Sequence, residues 1–202
     1  MITTYIFDFG NVLANFYPEK LTEPYVSDEE ERKYLASIVF DRAVWDKLDD
    51  GTYSDEEAKA EICKNLPAEK HEVACRIYDG WIDNLTPVPG MTELIEDIRK
   101  KGDKKLYLLS NISRGFAANF RKTPWIRDLF ANFDGLVLTG TLGIVKPTKE
   151  IFEYMFDTFG FRAEECLFAD DSEKNIRGAA AVGINGYLFD GDAQRLRREL
   201  GL

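Results

Sequence analysis

From about residue 88 onward, short apolar runs rich in β-branched and aromatic side chains alternate with segments whose apolar residues repeat at helical spacing. The runs are Lys105 to Asn111, Gly135 to Thr139, Cys166 to Asp171 and Ile184 to Asp190, and a further one, Thr4 to Gly10, opens the chain. Most are apolar without a break, as strands buried on both faces of a parallel sheet must be. The helical patterns are Met91 to Lys101, Ser113 to Arg121, Lys149 to Phe159, Glu173 to Val182 and Ala193 to Leu200. This alternation predicts an α/β fold, a doubly wound and mostly parallel Rossmann-like sheet.

The stretch between the first and second strands breaks the pattern. Residues 16 to 86 are acidic, helical in period and without a convincing strand. Ser27-x-x-Glu30 and Ser54-x-x-Glu57 read as capping boxes, and a third helix from about Ala68 to Leu85 puts Val73, Ile77 and Trp81 on one side. The prolines of Thr86-Pro87-Val88-Pro89-Gly90 end it. The expected organisation is an α/β core of residues 1–15 and 87–202 with a small helical cap, 16–86, inserted after strand one. Trp45, Tyr53, Tyr78 and Trp81 are expected to form the interior of that cap.

Charge and composition exclude several functions. A net charge of -10 opposes nucleic acid and anionic membrane as partners, so an anionic substrate needs a locally positive cleft. No apolar run reaches the roughly 20 residues of a membrane span, and no basic leader precedes the first strand. Three widely spaced cysteines, Cys63, Cys75 and Cys166, read as free thiols and suggest a cytoplasmic protein. With His71 the single histidine, in a charged segment that reads as a solvated helix face, neither a multi-imidazole zinc site nor a Ser/His/Asp triad can be built. Oligomeric state is left open by the sequence.

Ligands of open α/β sheets bind beyond the carboxyl ends of the strands. Four such ends carry polar groups: Asp8, the pair Ser110 and Asn111, Lys146 before Pro147, and the pair Asp170 and Asp171. Taken singly, each has an ordinary reading as a cap, turn or surface charge. Together they suit phosphoryl transfer. The carboxylates are hard oxygen ligands fit for magnesium, Asp8 is a nucleophile, and Lys146 and the Ser110 hydroxyl are donors for phosphoryl oxygens.

The constellation resembles the haloacid dehalogenase superfamily of hydrolases along the whole chain. Its four motifs stand in order as Ile6-Phe-Asp-Phe-Gly-Asn-Val12, Leu108-Leu-Ser-Asn111, Lys146-Pro147 and Phe168-Ala-Asp-Asp-Ser172. The resemblance implies an aspartyl-phosphate on Asp8 and phosphate held by Ser110, Asn111 and Lys146. It implies Mg2+ on Asp8, the backbone carbonyl of Gly10, and Asp170 or Asp171, principally the latter. The opening motif is similar to that of bacterial α-glucose-1-phosphate phosphatases and, except at residue 10, to the phosphatase domain of soluble epoxide hydrolases. It points to Arg114 as a substrate contact and to a small phosphorylated metabolite, such as a hexose 1-phosphate, as substrate.

One position departs from the pattern. Phosphatases of the superfamily usually carry a second Asp two residues after the nucleophile to move protons, and here that residue is Gly10. Three readings follow: a phosphatase whose leaving group is protonated otherwise, a 2-haloacid dehalogenase whose halide needs no proton, or a catalytically impaired binding module. Asp170 beside Asp171 counts against the second, because adjacent carboxylates repel unless a cation lies between them.

Overall fold

A computed structural model describes all residues, 1–202. Five parallel strands form the sheet, ordered β5-β4-β1-β6-β7: β1 is Thr4–Phe7, β4 Lys105–Ser110, β5 Gly135–Leu138, β6 Cys166–Asp170 and β7 Asn185–Leu188. The α/β class and parallel sheet expected from the alternation are present. After β1 the chain builds outward through β4 and β5, then returns to β1's other edge with β6 and β7. That reversal opens a crevice at the carboxyl end of the central strand, between β4 and β6.

Side-chain alternation divides the interior between the two faces. Tyr5 and Phe7 point to one side with Leu106 and Leu108, while Ile6 points to the other with Tyr107, Leu109 and Phe168. The first side is covered by α6 (Met91–Lys101), α7 (Arg114–Asn119), α8 (Pro124–Phe130) and α11 (Ala193–Glu199). The second is covered by α9 (Lys149–Phe159), whose Ile151, Phe152 and Met155 share one helical face, and by α10 (Glu173–Ala181). Only β7 departs from the expected burial; it is an edge strand and largely exposed.

Residues 14–15 and 86–87 pair as a short antiparallel ribbon, β2 (Ala14–Asn15) with β3 (Thr86–Pro87). The prolines around β3 predict only a helix stop; the structure adds a strand pairing there. Between them lie α1 (Pro18–Thr22), α2 (Glu29–Val39), α3 (Arg42–Asp49), α4 (Asp55–Lys64) and α5 (His71–Gly80). The capping box at Ser54 and Glu57 is formed from both directions, starting α4. The one expected at Ser27 is not: Asp28 is the cap, its carboxylate accepting from the Glu31 backbone N–H at 2.8 Å, so the helix starts one residue later. The third helix begins as a tighter turn at Ala68–Lys70, where the His71 ring is hydrogen-bonded to the Leu66 carbonyl rather than solvated.

Trp45, Trp81, Phe116 and Phe9 stack edge or face in one chain of rings, so the helical segment and the sheet's first face share one apolar cluster. The cysteines are free, Cys63 and Cys75 facing each other across α4 and α5 with sulfurs 3.9 Å apart. No helix is long and apolar enough to cross a membrane.

Candidate active site

Asp8 leaves the sheet one residue beyond β1, its backbone N–H still donating to Ala169 of β6 at 2.9 Å. The buried Phe7 and Phe9 on either side fix its direction. Its Oδ1 accepts from the Phe9 backbone N–H at 2.7 Å and lies 2.7 Å from Lys146 Nζ. Its Oδ2 takes no hydrogen bond from the protein. A carboxylate with one oxygen anchored and the other free has the geometry that nucleophilic attack requires.

Lys146 is almost wholly buried and bridges two strand ends, its Nζ also 2.7 Å from Asp170 Oδ2. Asn111 sets its backbone: the amide Oδ1 accepts from Lys146 N–H at 2.8 Å and Nδ2 donates to the Lys146 carbonyl at 3.0 Å. Asn111 thus positions the lysine, and it also lines the cavity, with one Nδ2 hydrogen still uncommitted. Burial pushes the Asp8 carboxyl above the usual carboxylate range, against the pull of Lys146, and the Asp170 charge adds to the rise. For Lys146 burial works the other way and is outweighed by Asp8 and Asp170, leaving its ammonium held above the ordinary range.

Oxygens of Asp8, Asp170 and Asp171 lie within 4.8 Å of one another. One ammonium faces three carboxylates, a charge balance and a hard-oxygen donor set suited to a divalent cation. The two members of the acidic pair differ. Asp170 is fully buried, and its oxygens are taken by Lys146, the Ser172 N–H at 2.8 Å and Asn175 Nδ2 at 3.0 and 3.1 Å. Asp171 is exposed, and only Asn11 Nδ2, 3.3 Å away, reaches it. Asn11 holds a left-handed backbone, φ 54°, and its Oδ1 accepts from Phe16 N–H at 3.0 Å, tying the acidic cluster to the start of the helical segment.

Above these groups is a cavity of about 520 Å³ lined by Asp8, Ser110, Lys146 and Asp171 below and by Phe16, Trp45, Trp81, Arg42, Asp46 and Asp49 from the helical segment. Ser110 is buried and its hydroxyl has no protein partner. Trp45 and Trp81 are buried, as expected, yet they also wall this cavity. Arg114 is not in the wall: its Nε donates to the Gly140 carbonyl at 2.6 Å, where it packs beside Gly51. In place of the expected substrate contact, Arg114 ties the start of α7 to the turn that follows β5. Gly10 lines the cavity, and a Cβ there would meet nothing within 4 Å.

Three residues went unremarked in the sequence as parts of the site. Asn175, five positions after Asp170, and Asn11 are polar residues next to the acidic motif or the nucleophile, which is the signal that could have flagged them. Asp49, in the helical segment, carries no local signal. Burial pushes its carboxyl up to about 7, with Arg42 opposing, Asp46 adding to the rise, and Lys146 near enough to oppose as well.

A carboxylate at the switch point of a parallel sheet, with a lysine and an acidic pair from neighbouring strand ends, is the arrangement of a class of α/β hydrolase. The chain belongs to the haloacid dehalogenase-like hydrolases, whose family model matches residues 2–183. It is 26% identical to the sesquiterpene phosphatase astK of Aspergillus oryzae over 94% of this chain and 93% of that one. It is 26% identical to the D-ribitol-5-phosphate phosphatase of Bacteroides thetaiotaomicron over 99% of this chain and 97% of that one. A HAD family enzyme from Bacteroides thetaiotaomicron, crystallised with magnesium and inorganic phosphate, shares the fold with a TM-score of 0.72 at 23% identity, over 97% of this chain and 99% of that one.

Proposed function

We propose that this hydrolase is a magnesium-dependent phosphatase of small phosphorylated metabolites, working through an aspartyl-phosphate on Asp8. The observation that carries the reading is the asymmetry of Asp8, one oxygen gripped by Lys146 and the Phe9 N–H and the other free beside a three-carboxylate cluster. Two relatives that match nearly end to end are named as phosphatases. In this reading Ser110 and Lys146 hold the phosphoryl oxygens. Asp8, the Gly10 carbonyl and Asp171 hold Mg2+, with Asp170 orienting Lys146, since its own oxygens are already committed. The ion would neutralise carboxylate and phosphate charge that otherwise repel.

Residues 16–86 act as a cap that roofs the site and sets specificity. Its indoles, Trp45 and Trp81, offer flat apolar surface, and Arg42, Asp46 and Asp50 offer polar groups at the same wall. That combination suits a sugar phosphate, its ring face on an indole and its hydroxyls on the charged groups. A hexose 1-phosphate is the favoured example.

A screen of sugar, polyol, nucleotide and prenyl monophosphates with magnesium, run beside a 2-haloacid, tests the reading. Phosphate release without halide release is the expected result; halide release alone would make the protein a dehalogenase. Turnover is expected to vanish in excess EDTA and return with added magnesium. Full turnover in EDTA would remove the metal from the mechanism.

A further inference from the structure

Building on the phosphatase reading, we infer that Asp49 of the helical segment carries out the proton transfers that Gly10 cannot, as acid toward the leaving group and then as base toward water. Asp49 lines the cavity that holds Asp8, Ser110 and Lys146, and only 5% of it is exposed. Its carboxyl accepts no hydrogen bond from the protein, and its nearest cation, Arg42 Nη2, stands 3.6 Å away. It lies in the last turn of α3, where the helix dipole opposes a negative charge. An under-partnered buried carboxyl at the wrong end of a helix costs stability and returns none to the fold.

The core also grips the chain at this residue. Thr139 Oγ1, fully buried, donates to the Asp49 carbonyl at 2.7 Å and accepts from the Ile112 N–H at 3.2 Å, two residues past Ser110. Gly51, with φ +74°, lies so close to Gly140 that a Cβ would be 2.5 Å from its carbonyl, the one Arg114 also holds. The strand ends that carry the phosphate donors thus also fix Asp49 over them. Its charged neighbours are Arg42, Asp46 and Asp50 on its own element and Lys146 from the core. A carboxyl raised to about 7 can be acid and base in turn near neutral pH.

The steps balance. An Asp8 oxygen bonds to phosphorus, the phosphorus–ester oxygen bond breaks, and the departing oxygen takes its electron pair and the Asp49 proton, leaving as alcohol. Water then bonds to phosphorus while Asp49 takes its proton. The phosphorus–Asp8 bond breaks, giving inorganic phosphate, Asp8 carboxylate and a reprotonated Asp49.

Asp49→Asn separates the two roles when assayed with magnesium on an alkyl phosphate and on p-nitrophenyl phosphate, whose leaving group departs without a proton. On the alkyl ester kcat should fall by about 10²-fold or more. On the aryl ester a burst of about one phenolate per site should precede slow turnover, because only the water step has lost its base. Adding Gly10→Asp to the Asn variant should restore alkyl-ester turnover at least tenfold, since the added side chain enters open space. Misfolding is excluded by melting curves. A carboxyl raised in the folded state contributes stability that is present below its ordinary value near 3.8 and lost as pH rises through about 7. Asn escapes that loss, so the variant should melt no lower than wild type at pH 8. Unchanged alkyl-ester turnover, or equal loss on both esters with no burst and no rescue, would overturn the role of Asp49. Wild type inactive on every phosphate ester would overturn the phosphatase reading instead.

Discussion

Asp8→Asn is expected to lower turnover on any phosphate ester by a factor of about 10⁴ or more while leaving the fold in place. Asparagine is nearly isosteric, and its carbonyl oxygen can keep the bonds that Asp8 Oδ1 makes with the Phe9 N–H and Lys146. The amide nitrogen then stands where the free oxygen was, and it cannot form an acyl phosphate. Stability should not suffer, because the substitution removes one of the carboxylates that burial already holds above its usual range. Two measurements check this. Rapid acid quench during turnover should trap phosphate on the peptide containing residue 8 in wild type and none in the variant. A melting temperature at or above that of wild type should accompany the loss. Retained turnover, or phosphate trapped on another residue, would remove Asp8 as nucleophile.

How much of this could be read beforehand follows from which interactions are local. Helices with a clean apolar period were placed to the residue, as at Met91–Lys101 and Lys149–Phe159. The starts of β1, β4, β5 and β6 match their apolar runs as well, but each strand ends before its run does, β1 already at Phe7, because the chain leaves the ladder as it turns toward the polar groups at the strand end. The β2–β3 ribbon escaped notice because two-residue strands have no period; their pairing is held by partners such as Asn15 and Thr86, far apart in the chain. Helix α8 escaped for a related reason, its seven residues being too few to establish a repeat.

The site divides along the same line. Motif residues were visible because each marks a strand end. Asn11 and Asn175 have only their closeness to Asp8 and Asp170 to mark them, and Asp49, which reaches the site across the fold, has no neighbour in sequence that distinguishes it from a surface group. Arg114 shows the converse error. It is the first residue of α7, four positions past Ser110, but Gly140, by lacking a side chain, opens a carbonyl to it and draws the guanidinium away. Proximity in sequence locates the helix start without fixing where its longest side chain points.

Lys146→Met should be the most destabilising single change at this site. Methionine fills similar volume, so the loss is electrostatic. In wild type the ammonium is the one cation within 2.7 Å of both Asp8 and Asp170, and both of those residues are buried. Removing one partner from a buried ionic cluster strands the others, which typically costs about 3–5 kcal/mol. For a domain of this size that corresponds to a fall of roughly 10 °C in melting temperature. The deficit should depend on pH in a definite direction. Without Lys146 the lowering influence on Asp8 is gone, so its folded-state value rises further. Stability from a raised carboxyl is retained in acid and lost as pH increases. The variant should therefore lie near wild type at pH 4 to 5 and well below it at pH 8. Magnesium should recover part of the gap, since a cation among the same carboxylates replaces some of the lost charge, while turnover stays low for want of a phosphate donor. Equal melting of variant and wild type at pH 8 in EDTA would show that the lysine is not what keeps these carboxylates together.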